Sequence, residues 1–229
     1  MVRVDSLDGI CVVVPAAGLG ARMEAGIPKQ YINVLGRTIL EHTLVRILEL
    51  HPDRLVLVVA REDNRYKSIP VVDQCEIAMG GVTRMDSVLS GLSKLHLEAD
   101  DWVMVHDAVR PCVRTADILS LCCEVLDQKI GGLLCIPVTD TVKRADKNRV
   151  LDTVDRSQLW LAQTPQLFRY GVLQQALQAA PIGTTDESSA VERLGHQPVL
   201  VQGHGDNIKV TTQDDLSMAS FYLSRDAAQ

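Results

Sequence analysis

The sequence predicts an α/β protein built on a doubly wound, mostly parallel sheet. Three observations carry this reading. Ile10-Cys11-Val12-Val13-Val14 is an apolar run short enough for a strand buried on both faces. Leu40, Leu44, Ile47 and Leu48 recur at helical spacing and give one apolar stripe. Leu55-Val56-Leu57-Val58-Val59 then follows as a second continuous apolar run. Strand, helix, strand in that order predicts a parallel pair, with its ligand at the carboxyl ends of the strands.

The first strand empties into Pro15-Ala16-Ala17-Gly18-Leu19-Gly20-Ala21-Arg22-Met23, with Pro28-Lys29-Gln30-Tyr31 shortly after. Ala16, Ala17, Gly18 and Gly20 have little or no side chain to obstruct a ligand, and the glycines tolerate positive φ. Successive backbone N–H groups in such a loop form an anion-binding concavity. Arg22 and Lys29 add positive charge at its edge. The dinucleotide fingerprint needs a third small residue where Met23 stands, and the Gly-Lys-Ser/Thr triplet of a P-loop is missing. A tight turn with two incidental cations is the plain alternative. Arg22, Pro28, Lys29 and Gln30 together favour a seat for a phosphate chain.

Thr38 and Glu41 have the spacing of a capping box at the start of the first helix, which His51-Pro52 ends. Cys75 to Met79 reads as a strand, and Gly80-Gly81 after it would by itself be an ordinary turn. Thr83 caps the next helix, whose buried stripe is Val88, Leu92 and Leu95. Trp102-Val103-Met104-Val105 is another buried strand, with Asp107 just past its end. An aspartate there is either a surface residue or cap, or, beside a triphosphate, a contact for magnesium and ribose. Arg110 suits a phosphate or an acid that fixes the loop, with the structural role preferred, and His106 reads as packing.

Thr115 is placed as the cap of a helix bearing Ile118, Leu121, Cys122, Val125 and Leu126, and residues 131–138 form the next buried strand. The pattern then changes. Thr141 to Arg144 and Arg149 to Val154 are short polar runs around Ala145-Asp146-Lys147-Asn148, a hairpin with a turn at its tip. An isolated two-stranded hairpin is marginal in water. It is either a solvated flap or an arm that docks on a second subunit. Thr164-Pro165-Gln166 follows, then a helix near 172–177, a helix capped around Thr185-Asp186, strands at 199–201 and 208–210, and a closing helix over 216–223.

A chain of 229 residues can build one substantial core, and we read it as a single domain with residues 139–160 as its β-arm. Its apolar runs are far below the roughly 20 residues of a membrane span, so no membrane partner is expected. Met1 to Gly9 carries acidic residues and lacks the form of a signal peptide, which makes a cytoplasmic location the expectation. Of the six cysteines, Cys11, Cys112, Cys122, Cys123 and Cys135 lack C-x-x-C spacing and read as structural thiols. The formal net charge of −6 argues against a nucleic-acid binder. An anionic substrate would therefore need cations concentrated in one cleft.

Pro-Ala-Ala-Gly-x-Gly-x-Arg-Met followed by Pro-Lys-Gln-Tyr resembles the opening of the 2-C-methyl-D-erythritol 4-phosphate (MEP) cytidylyltransferases of the non-mevalonate isoprenoid pathway. Further segments agree in order: Gly80-Gly81-x-x-Arg84-x-x-Ser87-Val88, Val105-His106-Asp107-Ala108-x-Arg110-Pro111, Asp140-Thr141-x-Lys143-Arg144, Thr153-Val154-Asp155-Arg156, Thr164-Pro165-Gln166, Thr185-Asp186-Glu187 and Asp206-Asn207-Ile208-Lys209-Val210-Thr211. Val109 departs from the family's second alanine and is expected to matter little. The resemblance implies a Rossmann-like nucleotidyltransferase fold and a homodimer whose arm reaches the neighbouring site. It also implies CMP transfer from CTP to MEP with Mg²⁺ or another divalent cation.

By the same resemblance, Ala16, Ala17, Gly18, Gly20, Arg22, Lys29, Gly81, Ser87, Asp107 and Ala108 would bind CTP, with the Gly81 backbone and the Ser87 hydroxyl on the cytosine. Asp107, Thr141, Arg156, Thr164, Thr185 and Lys209 would hold the acceptor. Arg22, Lys29, Arg156 and Lys209 would be catalytic, Asp107 would meet the metal, and Arg84 would brace the base site. The rival activities are cytidylyl transfer to ribitol 5-phosphate and a non-catalytic nucleotide sensor.

Overall fold

The computed structural model describes residues 4–18, 26–181 and 183–226. In chain order the elements are β1 (Ile10–Pro15), the ribbon β2 (Asn33–Val34) and β3 (Arg37–Thr38), α1 (Ile39–Leu48), β4 (Arg54–Val59), β5 (Glu76–Met79), α2 (Arg84–Leu95), β6 (Trp102–Val105), α3 (Thr115–Val125) and β7 (Gly131–Pro137). There follow β8 (Val142–Asp146), β9 (Arg149–Val154), β10 (Trp160–Arg169), α4 (Tyr170–Ala179), α5 (Glu187–Arg193), β11 (Val199–Gln202) and α6 (Gln213–Asp226).

Seven strands form one sheet in the order β11-β7-β10-β6-β1-β4-β5. Every pair is parallel except those of β10, which runs against both β6 and β7. The exception follows from the connection: the chain leaves β7, makes the β8–β9 hairpin and returns alongside the strand it left. This is the doubly wound α/β architecture that the apolar periodicity predicts.

Strand alternation sorts the core into two layers. On one face Val12, Val14 and Leu57 pack with Leu40, Leu44 and Ile47 of α1 and Ile118, Leu121 and Val125 of α3. On the other, Val13, Val56 and Val58 meet Val88, Leu92 and Leu95 of α2 and Leu173 and Leu177 of α4. Helix α2 lies very close to the sheet, since a Cβ on Gly91 would stand 2.5 Å from Val13 Cγ1. A third, smaller cluster joins Val109 and Cys112 to Val210, Ala219 and Leu223, so Val109 serves to pack α6 against the body.

Local signals were obeyed unevenly. The Thr83 hydroxyl accepts from the Asp86 N–H and Asp86 returns the bond, a complete capping box. Thr38 accepts from the Glu41 N–H at 3.1 Å, but the Glu41 carboxylate turns to Arg37 and leaves the box half made. Thr115 is not a cap: it is the first residue of α3, and the extended residue before it, Arg114, makes no side-chain capping bond. Residues 208–210 form no strand. One ladder-like bond, Val210 N–H to the Val109 carbonyl, ties this segment down, and buried Asn207 anchors its start through side-chain contacts. The arm forms as a two-stranded sheet turning at Lys147, whose φ is 51°.

Candidate active site

The carboxyl ends of β1, β5 and β6 converge on a cavity of about 210 Å³ whose wall includes Ala16, Ala17, Gly18, Lys29, Gly81, Ser87, Asp107, Ala108 and Lys209. Eight of the ten residues expected for CTP are on this wall; Gly20 and Arg22 lie outside the described residues. Buried Gln30 explains how Pro28-Lys29-Gln30-Tyr31 serves the loop. Its amide donates to the carbonyls of Ala16 at 2.9 Å and Gly18 at 3.1 Å, which fixes their backbone. The same short 3₁₀ turn presents Lys29.

Gly80-Gly81 is more than a turn. A Cβ on Gly80 would stand 2.3 Å from Ala17 Cβ, and one on Gly81 would stand 2.3 Å from Asp86 Cβ. The absence of side chains lets the end of β5 press against the loop after β1. The Ser87 hydroxyl donates to the Thr83 carbonyl and accepts from the Gly81 N–H at 3.2 Å. Its proton and the Gly81 N–H are therefore engaged within the protein, and the Gly81 carbonyl is the group of that residue left for a base.

A second cavity adjoins the first, lined by Arg110, Gln163, Thr164, Thr185 and Asp186. Arg84, Asp107 and Lys209 line both. Asp107, only 6% exposed, is the hub of this shared wall. Its Oδ1 accepts from Arg84 Nε and Nη2 at 3.1 and 2.9 Å, and its Oδ2 lies 2.8 Å from Lys209 Nζ and 3.7 Å from Arg110 Nε. Burial alone would raise the Asp107 pKa, but Arg84, Lys209 and Arg110 outweigh it and hold the carboxyl well below the usual carboxylate range. Arg84 is held from behind by Glu187, which is fully buried, at 2.5 Å. Arg84, on the wall shared by the two cavities, thus bridges two carboxylates rather than bonding to the Gly81 and Ser87 turn where a base was expected. Four cations, Lys29, Arg84, Arg110 and Lys209, face Asp107 and Asp186 across the two cavities, which reconciles a local positive field with an acidic chain.

Two residues carry the loops that bear these groups. Thr164 accepts the Asp107 N–H at 3.0 Å and lies 3.2 Å from His106 Nδ1, while His106 Nε2 meets the Arg110 carbonyl. His106 is wholly buried, and burial pushes its pKa down to about 4, so it packs as a neutral ring. Asn207 donates to the Thr164 carbonyl at 2.9 Å, and its own carbonyl accepts from Arg110 Nη1 at 2.6 Å. That anchorage delivers Lys209, two residues on, to Asp107. Arg110 takes the structural role preferred from sequence, though its Nε is buried without a hydrogen-bond acceptor.

Thr164, Thr185, Lys209 and Asp107 of the expected acceptor set meet at the second cavity. Thr141 and Arg156 do not: both are exposed at the arm and line neither cavity. Arg156 instead donates to the Thr139 carbonyl. Gln30, Asn207 and Glu187 are the residues whose roles the sequence hid, although each sat inside a quoted motif. Among the described residues no three His, Cys, Asp or Glu side chains gather as a metal cage.

The close approach at Gly80 makes a prediction. Gly80→Ala should lower the unfolding free energy by about 1–3 kcal/mol, the range for overpacking a filled site, and weaken CTP binding by shifting Ala17. Urea denaturation and a CTP titration check it. A variant as stable and as tight as the parent would show that the turn yields freely.

The model of the family described as 2-C-methyl-D-erythritol 4-phosphate cytidylyltransferase matches residues 10–225. A protein of that name from Vibrio vulnificus is 47% identical over 231 residues, covering 96% of this chain and 97% of its own. One from Haemophilus influenzae is 46% identical over 223 residues, covering 94% and 97%. Among solved structures, a 4-diphosphocytidyl-2C-methyl-D-erythritol synthase superposes with a TM-score of 0.83 at 37% identity, covering 93% of this chain and 97% of that one. The Francisella tularensis cytidylyltransferase gives 0.80, also at 37% identity, covering 93% and 99%. The chain belongs to the 2-C-methyl-D-erythritol 4-phosphate cytidylyltransferase family.

Proposed function

We propose that the protein transfers CMP from CTP to 2-C-methyl-D-erythritol 4-phosphate, giving 4-diphosphocytidyl-2-C-methyl-D-erythritol and pyrophosphate. The observation that carries it, beside family membership, is that two adjoining cavities share one ionic wall of Arg84, Asp107 and Lys209. CTP takes the first cavity. Its 4-amino group meets the Gly81 carbonyl, and its phosphates lie over Ala16, Ala17 and Gly18 beside Lys29. The acceptor takes the second, lined by Thr164 and Thr185, where Lys209 reaches the phosphate.

The attacking group is already a phosphate oxyanion, so no protein nucleophile or strong base is required. The obstacle is repulsion between two polyanions and the charge that builds on the α-phosphate and leaving pyrophosphate. In-line attack then depends on positioning and on cations fixed where that charge grows. Lys29, with Arg22 by resemblance, stabilises the transferred phosphate, while Lys209 orients the acceptor. Asp107 fits a hard divalent cation only as one carboxylate beside phosphate oxygens and water, the usual way magnesium is held, since Arg84 and Lys209 already engage its oxygens. Mg²⁺ bound there with the triphosphate would neutralise charge on the leaving group.

Thr141 and Arg156 complete the acceptor site of a second subunit in a homodimer. Two features support this: they line neither of the two site cavities of their own chain, and the arm and its root expose Val150 and Leu151, each 62%, and Leu161, 54%. Among the described residues no helix is long and apolar enough to cross a membrane. The six cysteines are all free thiols, which favours a cytoplasmic placement.

The test of the activity is pyrophosphate release with CTP, Mg²⁺ and each acceptor in turn. Release with 2-C-methyl-D-erythritol 4-phosphate is expected, and release only with ribitol 5-phosphate would overturn the reading.

The arm is tested by mixing. Lys29→Ala should lose on the order of 10²–10³-fold in turnover, as for one lost transition-state donor, and Arg156→Ala should fail on acceptor binding. Mixed and allowed to exchange subunits, the two variants should recover about a quarter of wild-type activity, because half the dimers are hybrids with one intact site. Hybrids that form without recovery would place Arg156 in its own subunit's site.

A further inference from the structure

Glu187 touches neither cavity, yet its carboxylate is fully buried. Position and orientation are both imposed on it. It is the first residue of α5, whose start is capped by Asp186 through the Ser189 N–H. The Gln166 amide then fastens that turn to β10, donating to Asp186 at 2.8 Å and accepting from the Ser188 N–H at 2.7 Å. From there Glu187 takes Arg84 in a fork, Oε1 to Nη1 at 2.5 Å and Oε2 to Nη2 at 3.0 Å. Arg84 gives Nε and Nη2 to the single oxygen Oδ1 of Asp107, leaving Oδ2 for Lys209.

We infer that Glu187 is a positioning residue for the acceptor: by taking half of the Arg84 fork it keeps one Asp107 oxygen free to tether Lys209. The tether matters because the Lys209 side chain is 41% exposed, and its ion pair with Asp107 fixes where the amine stands. A guanidinium that loses one carboxylate partner turns its fork on the other, since bidentate geometry is its strongest arrangement. With Glu187 neutral, Arg84 takes both oxygens of Asp107 and Lys209 is released. The formal charge of the group shows the same shift. Arg84, Arg110 and Lys209 against Asp107 and Glu187 leave +1, which becomes +2 without the Glu187 charge, and Asp107 then faces three cations alone.

This rests on Lys209 engaging the acceptor, and the test separates the two claims. KM for the acceptor, kcat, and equilibrium binding of CTP are measured for Glu187→Gln, Glu187→Asp, Lys209→Ala and the Glu187→Gln/Lys209→Ala double variant. Glu187→Gln should raise the acceptor KM by about tenfold, the scale of one charge-assisted hydrogen bond, with CTP binding changed much less because its base and phosphate seats at Gly81, Ala16, Ala17 and Lys29 stay in place. Glu187→Asp keeps the charge and should recover most of that loss. In the Lys209→Ala background Glu187→Gln should add nothing, because its effect passes through the missing amine. Full additivity would overturn the inference, as would loss of CTP binding in Glu187→Gln, which would make Glu187 a prop of the whole site. An unchanged acceptor KM in Lys209→Ala alone would instead overturn the assignment of Lys209.

Discussion

One buried carboxylate sets the terms for this site. Asp107 stands at the end of β6 with Arg84, Arg110 and Lys209 around it, on a wall common to two cavities. Such a cluster is a poor device for stability. A complete buried ion pair is close to neutral against an apolar replacement, whereas stripping one partner costs about 3–5 kcal/mol. The useful property is that three cations are held at fixed places without needing a ligand to order them. Substrates that repel each other then meet a positive surface that is already assembled, which is electrostatic preorganisation.

The fold delivers that carboxylate by simple means. Parallel β1, β4, β5 and β6 end on the same side of the sheet, so their loops meet there. Glycine at 80 lets the turn after β5 close to contact distance with Ala17 of the loop after β1, and glycine at 81 lets the same turn fold against Asp86 of α2. Antiparallel β10 then brings Thr164 beside the Asp107 backbone and Gln166 beneath α5. The reversal of β10 is therefore functional as well as topological: it brings both the acceptor wall and the Glu187 support to β6.

What could be read from the chain was what repeats locally. The alternating faces of β1, the stripe of α1, the cap at Thr83 and the aspartate past β6 all follow from spacing within a few residues. What could not be read depends on partners far apart. Arg84 and Glu187 are separated by 103 positions, and no periodicity links them. Gln30 and Asn207 were visible as motif letters, but their amides act through backbone carbonyls that only the folded loop brings near. Local signals also misled where a single backbone hydrogen bond replaced a ladder, at residues 208–210, and where Thr115 entered α3 as its first residue. Arg22 and Gly20 fall outside the described residues, so the phosphate loop's far half is known from sequence alone.

The most direct test of the Asp107 hub is Asp107→Asn, which keeps the shape and removes the charge. The measurement is the initial rate of pyrophosphate release across a wide range of Mg²⁺, at saturating CTP and acceptor. If Asp107 organises the three cations, activity should fall on the order of 10²-fold, comparable to losing a preorganised group, and raised Mg²⁺ should not restore it. Full recovery at high Mg²⁺ would contradict this, because it would reduce Asp107 to a metal ligand and leave the cations independent of it.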